Sequence, residues 1–137
     1  LGRRRKETGP SEKVVIGSSR DVYEVMAPIL SDLPHEEFWV LLLNRANKVL
    51  HKALISRGGI AGTVADTRII FKLGLEHLAC SVILCHNHPS GNLKPSEQDD
   101  KLTQKLKEAG RTMDIQVLDH LIISDEGYFS FADEGRL

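Results

Sequence analysis

At 137 residues, with 41% apolar and 27% charged side chains, the chain is of a size and composition that gives one globular domain with a real core. Its formal net charge of -1 excludes a global attraction to nucleic acid or to an anionic membrane, so any such binding rests on a local patch. No apolar run approaches membrane-span length and no signal peptide is visible, which predicts a cytoplasmic protein without membrane contact.

The chain opens on Leu-Gly-Arg-Arg-Arg-Lys, which reads as the tail of something upstream, and residues 1–13 are expected to be a basic linker. Arg3, Arg4, Arg5 and Lys6 can contact phosphates, or form a solvated tail, since no aromatic or helical recognition pattern accompanies them. The domain is expected over 14–137. Val14-Val15-Ile16 reads as a short strand. Ser18 or Ser19 then caps a helix whose Val22, Met26, Ile29, Leu30 and Leu33 recur at helical spacing, with Pro34 ending it. Residues 36–43 and 49–55 read as a hairpin closed before Gly58-Gly59. A helix over 66–77 is predicted with Ile69, Ile70, Leu73 and Leu78 inward. Residues 80–85 form a strand apolar on both faces, as a central strand under helices should be. Cys80 and Cys85 are an odd number of residues apart in it, so they face opposite ways, cannot pair, and are expected to be small core residues in a reducing compartment.

A polar helix is predicted over 97–111, with Gly110 near its C-cap, followed by strands over 115–118 and 121–124, a turn at Asp125-Glu126-Gly127 and a returning strand over 128–131. The order β-α-β-β-α-β-α-β-β-β argues for an α/β domain, a mixed sheet layered with helices.

The chemistry concentrates where the apolar strand ends in His86-Asn87-His88 and a turn leads to Ser96 and Asp99. Residues two apart in an extended chain point to one side about 6.6 Å from each other, so both imidazoles can lean toward one ion. Asp99, on the first turn of the next helix, is the third candidate ligand. Two His and one carboxylate leave one tetrahedral position open for water, the arrangement of a catalytic rather than a structural zinc. The competing reading makes Ser96 and Asp99 a capping box that satisfies free N–H groups at a helix start.

His86-Asn87-His88-Pro89, seven residues before Ser96 and with Asp99 three further on, resembles the His-x-His-x7-Ser-x2-Asp signature of the JAMM (MPN+) metalloproteases. More narrowly, His-Asn-His-Pro-Ser-Gly, with 117–123 (Val-Leu-Asp-His-Leu-Ile-Ile) and 128–132 (Tyr-Phe-Ser-Phe-Ala), resembles the bacterial RadC family from about Val14 onward. The resemblance implies a JAB/MPN fold, related in shape to cytidine deaminases, with Zn2+ as cofactor and a peptide or isopeptide bond as substrate. It also implies an upstream helix-hairpin-helix region, of which residues 1–13 would be the exit, and carries a historical DNA-repair label. The alternative it leaves is therefore a DNA-binding or DNA-processing factor.

The family places a general-base Glu at the start of an early strand. Glu36 and Glu37 both qualify by type, and Glu36 fits the pattern of an acid two residues before an aromatic, Phe38. Ser96 is the expected oxyanion donor, although cap and donor roles are expected to alternate as its hydroxyl turns. Asp119-His120 is either a pair that orients a ligand or a remote structural pair. Asp100 is expected in solvent, Trp39 in the core, and His35, His51 and His77 at the surface or an interface.

The sequence departs from JAMM isopeptidases in having Asn87, where they carry Ser or Thr, and in showing no insertion that would clamp a ubiquitin chain. A nuclease would need more carboxylates around paired metals, and a base deaminase would need His-x-Glu and Pro-Cys-x-x-Cys. A homo-oligomer pairing through an exposed edge strand is a further possibility.

Overall fold

The computed structural model describes residues 14–58 and 65–137. The basic residues Arg3 to Lys6 and the Gly59 half of the expected Gly-Gly break lie outside them. Five strands form one mixed sheet in the order β2-β1-β3-β4-β5. They are β1 (Glu37–Leu43), β2 (Val49–Arg57), β3 (Ser81–Asn87), β4 (Gln116–Ser124) and β5 (Gly127–Ser130). The helices are α1 (Ser19–Leu30), α2 (Thr67–Glu76) and α3 (Glu97–Met113). Only β3 and β4 run parallel, joined through α3; the other neighbours are antiparallel. This is the α/β arrangement the alternation of patterns predicted.

Side-chain alternation divides the core in two. Phe38, Val40, Leu42, Val82, Leu84 and Val117 face α2 and α3, where Ile70, Phe71 and Leu106 meet them. Leu41, Leu43, Ile83, Cys85, Leu121 and Ile123 face Val22, Met26 and Leu30 of α1. Every residue of β3 is buried, because it is the middle strand with helices over both faces.

Several expectations are corrected. Val15 makes only an isolated bridge to Lys48, since Gly17 and the Ser18 N-cap divert the chain into α1 at once. That helix ends at Leu30, before Pro34; Pro28 lies inside it, and Ser31 Oγ donates to the Ala27 carbonyl at 2.7 Å. The inward stripe of α2 is Ile70, Phe71 and Gly74, while Ile69 and Leu78 are exposed. Leu78 follows the helix in a left-handed conformation that turns its side chain to water. Cys80 precedes β3 and is exposed; Cys85 is buried, and both are free thiols. Gly110 is not a cap but lies inside α3, where a Cβ would collide with the Ile115 carbonyl; Asp114, at φ 58°, ends the helix.

The largest correction concerns the strands predicted over 115–118 and 121–124. They are one strand, β4, whose pairing with β3 slips between Val82↔Val117 and Ile83↔Asp119. This bulge beside Leu118 reverses the alternation. Val117 faces α3 before it; beyond it, the odd residues Leu121 and Ile123 face α1 and the even residue His120 faces α3.

Candidate metal centre

β3 delivers His86 at its buried end, the chain leaves the sheet at His88, and a turn closed by Gly91 N–H donating to the His88 carbonyl at 2.9 Å leads toward α3. Gly91 sits at φ 88°, a conformation glycine adopts without strain. Asp99 comes from the first turn of α3. The three side chains meet. His86 Nε2 and His88 Nε2 are 3.1 Å apart, and Asp99 places Oδ1 3.2 Å from the former and Oδ2 3.5 Å from the latter. One ligand atom from each lies within 4.8 Å of the others, so the group can hold a metal ion. Atoms bound about 2.0–2.1 Å from a single tetrahedral ion sit roughly 3.3–3.4 Å apart, close to this spacing.

The hydrogen bonds fix which nitrogens carry protons. His88 Nδ1 lies 2.6 Å from the Asn92 carbonyl, which only accepts, so Nδ1 carries the proton and Nε2 presents a lone pair. Thr103 Oγ1 donates to the Asp99 carbonyl at 2.7 Å, so at 2.6 Å it accepts from His120 Nδ1. His120 Nε2 is then an acceptor, and takes its proton from His86 Nδ1 at 2.9 Å. That leaves His86 Nε2 with a lone pair as well. Two lone pairs and a carboxylate converging on one point repel each other unless a cation or a proton joins them. Burial acts to lower the His88 pKa, but the Asp99 carboxylate and the Asn92 carbonyl outweigh it and raise the value, with Glu36 adding to the rise. Burial likewise acts to raise Asp99, and the two imidazoles beside it, at 3.2 and 3.5 Å, outweigh burial and hold the carboxyl well below its ordinary range.

Asp99 also completes the capping box. Its Oδ2 accepts from Ser96 N–H at 2.8 Å, and Ser96 Oγ accepts from Asp99 N–H at 3.0 Å. The capping-box reading of Ser96 and Asp99 is realised, and it leaves the Asp99 carboxylate with lone pairs to spare beside the two imidazoles. The Ser96 cap uses a hydroxyl lone pair and leaves the O–H able to donate, so its two expected roles do not compete.

The structure separates Glu36 from Glu37. Phe38 faces His86, ring centroids 5.7 Å apart, and Glu36, just before β1, is near enough to the cluster for its charge to act on His88. Glu37 is buried on the opposite side, where Oε2 accepts from Arg57 Nε at 3.0 Å and lies 2.9 Å from His35 Nε2, and Oε1 accepts from Trp39 Nε1 at 2.9 Å. Burial works to raise its pKa, and these donors lower it on balance. Trp39 is half-buried and packs against the α1-side core, with its indole N–H serving Glu37.

Asp119 and His120 part company in the same way. His120 is fully buried against the site, stacked on Phe131 at 4.5 Å, and burial pushes its pKa far down, which favours the neutral ring. Asp119 faces away and accepts from Ser130 Oγ at 2.7 Å, Ala132 N–H at 3.0 Å and His120 N–H at 2.7 Å. Asp100 faces solvent as expected, where it pairs with Arg136 at 2.6 Å. His51 and His77 stack on each other, centroids 4.5 Å apart, outside the site. Sequence reasoning missed Thr103, although its place one helical turn after Asp99 was visible.

Residues 16–136 match the family model described as RadC-like JAB domain. The chain is 55% identical over 135 residues to a UPF0758 protein of Flavobacterium johnsoniae, covering 98% of this chain and 59% of that protein. It is 48% identical over 138 residues to a UPF0758 protein of Porphyromonas gingivalis, covering 100% and 61%. With a UPF0758 protein of Methanosarcina mazei the identity is 41% over 133 residues, covering 96% and 58%. The chain thus spans about three fifths of the length of the curated relatives it matches.

Proposed function

This chain belongs to the RadC-like JAB domain family, and from that premise we propose that it is a metal-dependent hydrolase of peptide or isopeptide bonds, with His86, His88 and Asp99 as ligands. The observation that carries the reading is the convergence of two imidazole lone pairs and a carboxylate within 4.8 Å, each held by its own partner. Nitrogen and carboxylate donors of this kind suit zinc. A zinc ion there would supply Lewis acidity, polarising a substrate carbonyl and making water nucleophilic near neutral pH.

The chain's own residues supply the rest. Glu36, whose charge acts on His88, takes the proton from the attacking water on its carboxylate and returns it to the leaving nitrogen. Ser96 donates its O–H to the oxygen that gains charge at the carbonyl carbon, a contribution of about 3 kcal/mol to the barrier. Thr103, His120 and Asn92 hold the histidine tautomers so that both Nε2 atoms stay aimed inward. The substrate class is an extended peptide or an amide-linked conjugate. Among the described residues no helix is long and apolar enough to cross a membrane.

The test is elemental analysis followed by a cleavage screen on peptide, isopeptide and single-stranded DNA probes, each with and without chelator. Stoichiometric zinc with chelator-sensitive amide cleavage is expected. Chelator-insensitive DNA cleavage, or a protein that holds no divalent metal, would overturn the proposal.

A further inference from the structure

Asn87, the residue between the two histidines, is 1% exposed and points to the α1 side of the sheet, away from the ligand atoms, as strand alternation requires. Both ends of its amide are engaged. Nδ2 donates to the His35 carbonyl at 2.8 Å and Oδ1 accepts from the Glu37 N–H at 2.8 Å. These two backbone groups flank Glu36. The Glu36 carbonyl itself accepts from Gly58 N–H at 2.8 Å, and the Glu37 side chain ties the same stretch to Arg57 and Trp39. A strand start is where backbone order is ordinarily weakest, yet here three successive residues are fastened, two of them by one side chain.

We propose that Asn87 is a positioning residue for Glu36: its amide spans the chain from His35 to Glu37 and so presents the intervening carboxylate to the ligand cluster on the opposite face. The inference rests on the metal-dependent reading above. A single planar amide carries a donor and an acceptor side by side, which is what one carbonyl and one N–H on either side of a residue demand. Alanine offers neither bond and serine's short hydroxyl reaches at most one. Aspartate would set a second acceptor against the His35 carbonyl. The same residue that spaces His86 from His88 along the strand therefore couples the ligands to the proposed base through the sheet.

The experiment uses the whole chain loaded with Co2+ as a visible probe of the site, comparing the pH midpoint of its absorption in wild type, E36Q, N87A, N87S and the E36Q/N87A double variant. E36Q is expected to move the midpoint by roughly one unit, because a nearby charge is removed. N87A should move it in the same direction by about half as much or more, and should add nothing in the E36Q background. N87S should give a smaller shift of the same sign, and it carries the comparison if N87A fails to fold. A structural asparagine would shift wild type and E36Q alike. An N87A or N87S midpoint equal to wild type, or a shift that adds fully to that of E36Q, overturns the role of Asn87 alone. Absence of Co2+ uptake by wild type, or uptake unchanged in H88A, overturns the metal reading and this inference with it.

Discussion

On the α3 side of the sheet, His86 and His120 with His88 and Asp99 beside them form a hydrogen-bonded set that ends in lone pairs aimed at one point. On the α1 side, one residue along each strand, Glu37 and Asp119 are surrounded by donors that satisfy them: three side chains for the first, a hydroxyl and two backbone N–H groups for the second. Both faces bury polar groups. The difference is closure. Polar groups on the α1 face complete one another and stabilise the fold, whereas those on the α3 face are complete only with an added cation or proton. Burial alone therefore does not mark a functional residue; an unbalanced set of donors and acceptors does.

Substitutions can break this contrast at several strengths. Replacing His88 with Ala should reduce bound zinc to below about a tenth of an equivalent, read by elemental analysis, with the fold retained by circular dichroism. E36Q should keep its zinc and lose roughly 10²–10⁴-fold in amide turnover on any substrate the wild type cleaves. T103V removes the group that orients His120, and zinc affinity measured by chelator competition should fall about 10–100-fold. On the other face, D119A should retain stoichiometric zinc while losing about 1–3 kcal/mol in denaturant unfolding, since Ser130 Oγ and the Ala132 N–H lose their acceptor. Loss of zinc in D119A with unchanged stability would reverse the comparison.

A smaller effect sharpens it. Because the folded-state pKa of His88 lies above its ordinary value, the His88–Asp99 pair stabilises the metal-free fold fully below about pH 6.5. That contribution is lost as pH rises through the raised value. A cation must displace the same proton, so apparent zinc affinity should fall as pH drops through the window, by about tenfold per unit once His88 is protonated. Calorimetry in buffers of different ionisation enthalpy should show proton release on binding. Binding independent of pH between about 5 and 7 would mean that His88 is not displaced from its proton.

Much of the fold was legible because its signals are local. The apolar run 82–85, ending in His86-Asn87-His88, marks a buried strand, and Ser96 with Asp99 marks a helix start. The errors arose where a long-range contact overrode a local pattern. Asp119-His120 looked like a break between strands because the polar pair interrupts an apolar run, but the bulge beside Leu118 accommodates it inside β4. On α2 Ile70 packs inward as predicted, while tertiary packing adds Phe71 and brings Gly74 against Ile115, leaving Ile69 exposed.

The sequence by itself put His86 and His88 on one side at a strand's end and Asp99 in the first turn of the next helix, because the two-residue period and the capping signal are local. Only the tertiary structure decided that α3 returns Asp99 to the two imidazoles, that Glu37 turns to the opposite face, how Asn87 grips the chain around Glu36, and that His120 and Thr103 join the cluster while Asp119 does not. Those outcomes depend on register between strands far apart in the chain, and a one-residue slip sends a side chain to the opposite face.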